Sequence, residues 1–299
     1  MNKSLATAVV IAAGFAGFQA NATEGGGNAY PNGAEGFMSG ALPPQGLYYQ
    51  NYLNHYTVNK VTDADGDNTG TDINLQATAD VSRFIYMTDK KLFGADWGMY
   101  TTIPLVHLSG EVAVNGTPVV SSTTSGLGDI SISPLMLGWH TPNFHYAFAL
   151  EVTAPTGEYN MTRFANPGRN YWVFTPVFVA TYLNNGFEAS AKFMYDFNGK
   201  NDDTDYKSGQ EFHFDYAVGY HLNNLTLGVA GYYYQQLTGD KQNGQKYLDG
   251  YKGKAFAIGP AVKFDTAAGY SVELRYQTEV STENKPEGDK FWLKFTTRL

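Results

Sequence analysis

Residues 186–199 read GFEASAKFMYDFNG. Phe187, Ala189, Ala191, Phe193, Tyr195 and Phe197 occupy one set of alternate positions; Glu188, Ser190, Lys192, Met194 and Asp196 occupy the other. A period of two is that of an extended strand, with each set on its own face. In a soluble sheet the aromatic set is core and the charged set meets water. In a membrane barrel the aromatic set meets acyl chains and the charged set lines a lumen. The flanking sequence discriminates between the two.

The pattern recurs in INLQATADVS (73–82), FHYAFALEVTA (144–154), EFHFDYAVGYHL (211–222), YSVELRYQTEV (270–280) and FWLKFTTRL (291–299). In all, twelve runs are two-faced: about 47–59, 72–88, 95–110, 127–140, 143–156, 170–183, 186–199, 209–222, 225–238, 253–265, 268–281 and 288–299. Most exceed the ~5–6 residues usual in globular strands. They also exceed the ~9–11 residues a tilted strand needs to cross a bilayer. Connections alternate between short ones, near 141–142, 184–185, 223–224 and 266–267, and longer ones at 60–71, 111–126, 157–169, 200–208, 239–252 and 282–287. The connection at 89–94 belongs with the short set. Alternation of this kind belongs to an up-and-down antiparallel barrel, with tight turns at one end and larger loops at the other. Within 111–126, the Asn-Gly pair of VNGTP allows a small extra hairpin whose arms are too short to span.

Energetics orient the faces. A lysine facing lipid at mid-bilayer costs about 2–4 kcal/mol, and the charged faces carry several such groups. Aromatic-out, charge-in is therefore the expected arrangement for these strands. The expected lumen-lining residues are Glu151, Glu188, Lys192, Asp196, His213, Asp215, Glu273, Arg275, Glu279, Lys290 and Lys294. Folding the last hairpin about 284–285 sets Glu279 opposite Lys290. Either face of 127–140 can point outward, and 47–59 is rich in Tyr and Asn on both. Trp97, Trp139, Phe144, Tyr182, Phe187, Phe264 and Tyr270 flank the short turns, as an interfacial girdle requires.

The ends and the composition agree with an exported chain. Lys3, the apolar run Leu5 to Phe18 and Ala20-Asn21-Ala22 form a secretory signal pattern, with cleavage expected after Ala22. No later run reaches the ~18 consecutive apolar residues of a spanning helix. There is no cysteine, so closure and burial must hold the fold. The net charge of −8 argues against a nucleic-acid partner. Tyr 22 and Phe 19 with a mean hydropathy of −0.32 suit strands that are greasy on one side only. Residues 23–46 are Gly/Pro-rich and aperiodic; they form a leader lying in the periplasm or folded into the lumen. The expected organisation is signal 1–22, leader 23–46 and barrel 47–299.

The phrases YPNGAEGFMSGALPPQGLYYQNYL (30–53), SGLGDISISP (125–134), EVTAPTGEY (151–159) and the closing strand together resemble the outer-membrane barrel family named for the meta-pathway of phenol degradation. The resemblance spans essentially the whole mature chain. It implies a Gram-negative outer-membrane location, insertion by the barrel-assembly machinery, and passive uptake of small molecules, aromatic or hydrophobic compounds among them. The chain departs from the usual barrel ending in Phe by closing on Leu299, although the alternation Phe291, Leu293, Phe295, Thr297, Leu299 holds.

Other chemistries are less well supported. His140, His145 and His221 sit near the short turns without metal-ligand spacing. The acidic loop DADGD (63–67) lacks the order and closing Glu of a calcium loop. A lipase-like barrel enzyme needs a Ser beside an inward His, for which His213 is the candidate, and no G-x-S-x-G elbow is present. A structural or adhesive barrel is the remaining alternative. The expectation is a channel, monomeric or weakly oligomeric, that is not an enzyme. It needs no cofactor or metal and has lipid and a small-molecule solute as its partners.

Overall fold

The computed structural model describes residues 22–114, 117–248 and 250–299. The segment expected to be the signal lies outside these residues, apart from Ala22. The strands are β1 (Gly46–Val61), β2 (Asp72–Leu92), β3 (Ala95–Val114), β4 (Thr117–Leu127), β5 (Ser131–His140), β6 (Phe144–Thr153), β7 (Val173–Asn184), β8 (Phe187–Asn198), β9 (Tyr206–Lys207), β10 (Glu211–Leu222), β11 (Leu225–Gln236), β12 (Lys241–Gln242), β13 (Gln245–Lys246), β14 (Lys254–Asp265), β15 (Ser271–Glu283) and β16 (Pro286–Arg298). Among the described residues, twelve of them form one closed antiparallel barrel, because β1 pairs with both β2 and β16. Closure leaves the wall no free edge, the condition for spanning a bilayer with strands. The short β9, β12 and β13 form a separate small sheet in the loops.

Strand β8 answers the opening question. Glu188, Ser190, Lys192, Met194 and Asp196 are buried inside, while Phe187 and Phe197 are more than 40 % exposed on the outside. The outer belt continues through Phe174, Phe178, Leu227, Val229, Leu274, Tyr276 and Phe291. The short turns, Phe93-Gly94, 141–143, Asn185-Gly186, 223–224 and 266–270, share one end with Gly46 and Leu299. At the Asn185-Gly186 turn both residues have positive φ, 49° and 85°, as a tight two-residue hairpin demands.

Four expectations need correction. First, the small extra hairpin allowed within 111–126 is present but longer than that stretch: β3 runs on to 114 and pairs with β4 from Leu105 onward. The stretch 127–140 accordingly breaks, and only β5 joins both β3 and β6. Second, the apolar set of INLQATADVS faces inward. Val81 is buried, and Ala77 and Ala79 line an internal cavity; Asp80, Gln76 and Asn74 are exposed outside. The outward polar groups pair with one another, Asn51 with Asp80 and His55 with Thr78. Below Ser82 the usual polarity returns, with Phe84 and Tyr86 outside and Arg83, Ile85 and Met87 inside. This long strand continues past the acyl belt, so water rather than lipid meets the outside of its upper half. Third, β15 carries an extra residue at Val280, and Glu279 falls beside Gly288 while Gln277 faces Lys290. Fourth, β2 extends to Leu92, shortening the 89–94 connection to two residues.

The lumen is filled by the leader. Its first residue, Thr23, donates its amide to Asp240 and its hydroxyl to Glu211 at the loop end. The chain then descends the full height of the barrel and enters β1 at Gly46, at the short-turn end. Small residues on the inner wall make the room. Phe37 packs against Ala217, Ala230 and Ala261, and a Cβ at Gly219 would stand 2.6 Å from its ring.

Candidate functional site: the plugged lumen

Much of the polar inner wall is matched to the leader. Asp215, on β10, accepts three hydrogen bonds from it: from Tyr30 Oη at 2.6 Å, Gly33 N at 2.7 Å and Glu35 N at 2.9 Å. Hydrogen bonds to an ionised acceptor are stronger than neutral ones. Gly33 has φ +90°, a conformation that an L side chain rarely adopts, and a Cβ there would meet the Tyr232 ring at 2.9 Å. Lys192 lies 4.3 Å from the centroid of the Tyr30 ring, a cation–π contact.

Glu35 is the leader's own charged anchor. Arg83 Nη1 of β2 reaches its Oε1 at 2.5 Å and Lys294 Nζ of β16 its Oε2 at 2.6 Å. Tyr52 Oη of β1 donates to the same Oε1 at 3.0 Å. All four side chains are buried. Removing one member of a buried ion pair costs about 3–5 kcal/mol because the other charge is left uncompensated.

Lower in the lumen, Arg275 donates to the Ala34 carbonyl at 2.6 Å and to Glu273 at 2.5 Å. Glu273 accepts from Phe37 N at 3.3 Å, Glu188 from Met38 N at 2.5 Å, and Thr181 Oγ1 from Gly40 N at 2.9 Å. Higher up, Lys290 donates to the Asn32 carbonyl at 3.1 Å and lies 4.2 Å from the Tyr232 ring centroid. Glu279 accepts from Tyr56, Tyr232 and Gly288 N, and its carboxylate is 4.0 Å from Lys290. With Glu279, three more of the expected lining residues bond within the wall instead. Glu151 accepts from Tyr100 at 2.7 Å; Asp196 accepts from Thr175 and faces His213 Nε2 at 3.1 Å. His213 Nδ1 has no hydrogen-bond partner.

At the loop end the leader is fastened a second time. Thr23 N donates to Asp240 at 3.0 Å and Thr23 Oγ1 to Glu211 at 2.9 Å. Burial pushes the Asp240 carboxyl above its ordinary value, partly offset by donors from Tyr206, Gly209, Thr23 and Gln236. Lys285, in the β15–β16 turn, donates to Gly26 O and Asn28 Oδ1 and covers the Tyr234 ring. Burial lowers its ammonium to about 8, against the pull of Glu211 and Glu279.

Between the leader and the β1–β3 side of the wall a cavity of about 250 Å³ remains. Its apolar side is Ala77, Ala79 and Val81 of β2 with Pro104, Val106 and Leu108 of β3. Tyr52, Tyr56 and Trp292 supply aromatic faces, and Arg83 lies on its border. The inverted polarity of β2 is what makes this wall greasy on the inside. Trp292 Nε1 and Asn32 Oδ1, on two residues lining the cavity, have no hydrogen-bond partner. Among the described residues, no group of His, Asp and Glu has the arrangement of a metal site.

Glu35, Tyr30, Arg83, Tyr52 and Trp292 are absent from the sequence-derived set. Arg83 had a usable signal, since the alternation Val81, Arg83, Ile85, Met87 continues past Ser82. Glu35 and Tyr30 had none, because the leader has no period to read.

A family model described as "Putative MetA-pathway of phenol degradation" matches residues 58–295. An outer membrane channel from Pseudomonas putida F1 has a similar crystal structure, with a TM-score of 0.76, 16 % identity, and coverage of 89 % of this chain and 99 % of that one. The translocator domain of the autotransporter NalP from Neisseria meningitidis aligns at TM-score 0.48 and 10 % identity over 87 % of this chain and 91 % of that one. No curated protein matches the sequence. At these identities the structural likeness concerns the fold.

Proposed function

The chain belongs to the phenol-degradation MetA-pathway family of outer-membrane barrels, and on that footing we propose that it is a channel for passive uptake of small molecules, with aromatic and hydrophobic compounds as its solutes. The observation that carries this reading is the apolar, aromatic-walled cavity held open inside a lumen otherwise filled by polar contacts. A purely structural barrel has no use for such a space. The expected lumen-lining residues become, in this reading, the frame that holds the leader as a removable plug. The pathway runs along the β1–β3 side and opens when the leader shifts.

Planar-bilayer recording tests the channel. Single-channel conductance in the full mature chain, rising when residues 23–40 are deleted, is the expected outcome; silence from both proteins rejects the reading. Growth on limiting aromatic carbon sources, with and without the gene, tests the solute class. Equal growth removes it.

A further inference from the structure

We propose that the seat now held by Glu35 is a binding site for the carboxylate of an aromatic solute, which displaces Glu35 and thereby releases the leader. This rests on the channel reading above and adds a solute class and an opening mechanism.

Three donors converge on that seat from neighbouring strands: Tyr52 Oη of β1, Arg83 Nη1 of β2 and Lys294 Nζ of β16. The carboxylate they hold is supplied by the leader and not by the wall, so the site is vacated when the leader moves. Arg83 and Lys294 are buried cations on a rigid frame, and both bind the same carboxylate, one oxygen each. That geometry suits any carboxylate of similar size.

The seat opens directly onto the cavity. Tyr52 and Arg83 belong to both, and Ala34, beside Glu35 in the chain, lines the cavity too. A ring placed against Ala79, Val81 and Trp292 would therefore have its carboxylate within reach of Arg83. The space is sufficient: an apolar cavity of roughly 150 Å³ accepts benzene, and this one measures about 250 Å³.

Charge decides which solutes can act. A neutral aromatic that pushes the leader aside leaves Arg83 and Lys294 without their anion. A carboxylate replaces it in the same step, so binding and leader release are linked and mutually exclusive with docking.

The test uses the full mature barrel with benzoate, its neutral counterpart benzyl alcohol, and acetate as a carboxylate without a ring. Calorimetry should show benzoate binding at least about tenfold tighter than benzyl alcohol or acetate. Benzoate should also increase conductance and speed hydrogen exchange of the amides of residues 33–38. Without benzoate, Glu35→Gln should conduct more than the unsubstituted protein, and it should bind benzoate more tightly, since the internal competitor is neutral. Lys294→Gln should lose the benzoate preference; Arg83→Lys, which keeps the charge, should retain part of it. Equal binding of benzoate and benzyl alcohol, or weaker benzoate binding in Glu35→Gln, overturns the proposal. If Glu35→Gln conducts while benzoate changes nothing, this inference fails and the channel reading stands. If no variant conducts, the channel reading fails first.

Discussion

At the scale of single residues, Asp215 and Lys285 define what holds the leader. Asp215 satisfies two backbone amides and one phenol of the leader at once. Asp215→Ala leaves those donors unpaired in a buried site and should loosen the leader by about 3 kcal/mol. Faster amide exchange at Gly33 and Glu35, with unchanged exchange in β7 and β8, is the expected record. Lys285 carries a pH dependence. Its docked pKa of about 8 lies below the ~10.4 of a solvated lysine. The undocked state therefore binds the extra proton between those values, so docking strengthens as pH rises from about 8 towards 10 and is flat below 8. Proteolysis of the leader should slow by up to about tenfold per pH unit across that window, and Lys285→Met should abolish the trend. The alternation of β8, β10 and β15 made Asp215 and the other inward charges legible in the sequence. Their partners were not, because a hydrogen bond to an aperiodic backbone has no pattern.

At the scale of elements, β2 separates what a period can and cannot tell. Alternation correctly gives two faces, but it does not say which solvent each face meets. In β8 the greasy face meets lipid; in the upper half of β2 it meets the cavity, since the strand there has outrun the bilayer. Ala79→Phe should fill the cavity without disturbing the barrel. Conductance of the leader-deleted protein should fall, while its thermal midpoint stays within a few degrees. The leader's lower half offers a second test. A Cβ at Gly40 would lie 2.6 Å from the backbone of Ala180 and Thr181, where neither neighbour can yield. Gly40→Val should lift the leader from its base and expose residues 38–45 to protease in the folded protein. The register of the last hairpin was out of reach of the sequence for another reason: the pairing is irregular around Glu279 and Val280, between the turn and the pair Thr278–Asp289, and Lys290 faces Gln277, two residues from the position that simple folding about the turn gives it.

At the scale of the whole molecule, the closed wall was legible and its filling was not. Strand number, the sidedness of the turns and the exposed aromatic belt all follow from counting alternating runs, because a closed sheet must satisfy every backbone group within itself. The mature protein should need detergent and should migrate differently on gels before and after boiling; identical migration would contradict a closed barrel. The leader's path depends on contacts between residues far apart in sequence, such as Glu35 with Lys294. That path has a mechanical corollary. The leader is tethered at Gly46, on the short-turn side, and its opposite end lies at the loops. Pulled out towards its tether and stretched, residues 23–45 would reach about 80 Å below the barrel. An emptied pore would thus trail a line into the periplasm, long enough to advertise its state to proteins that never touch the outer surface.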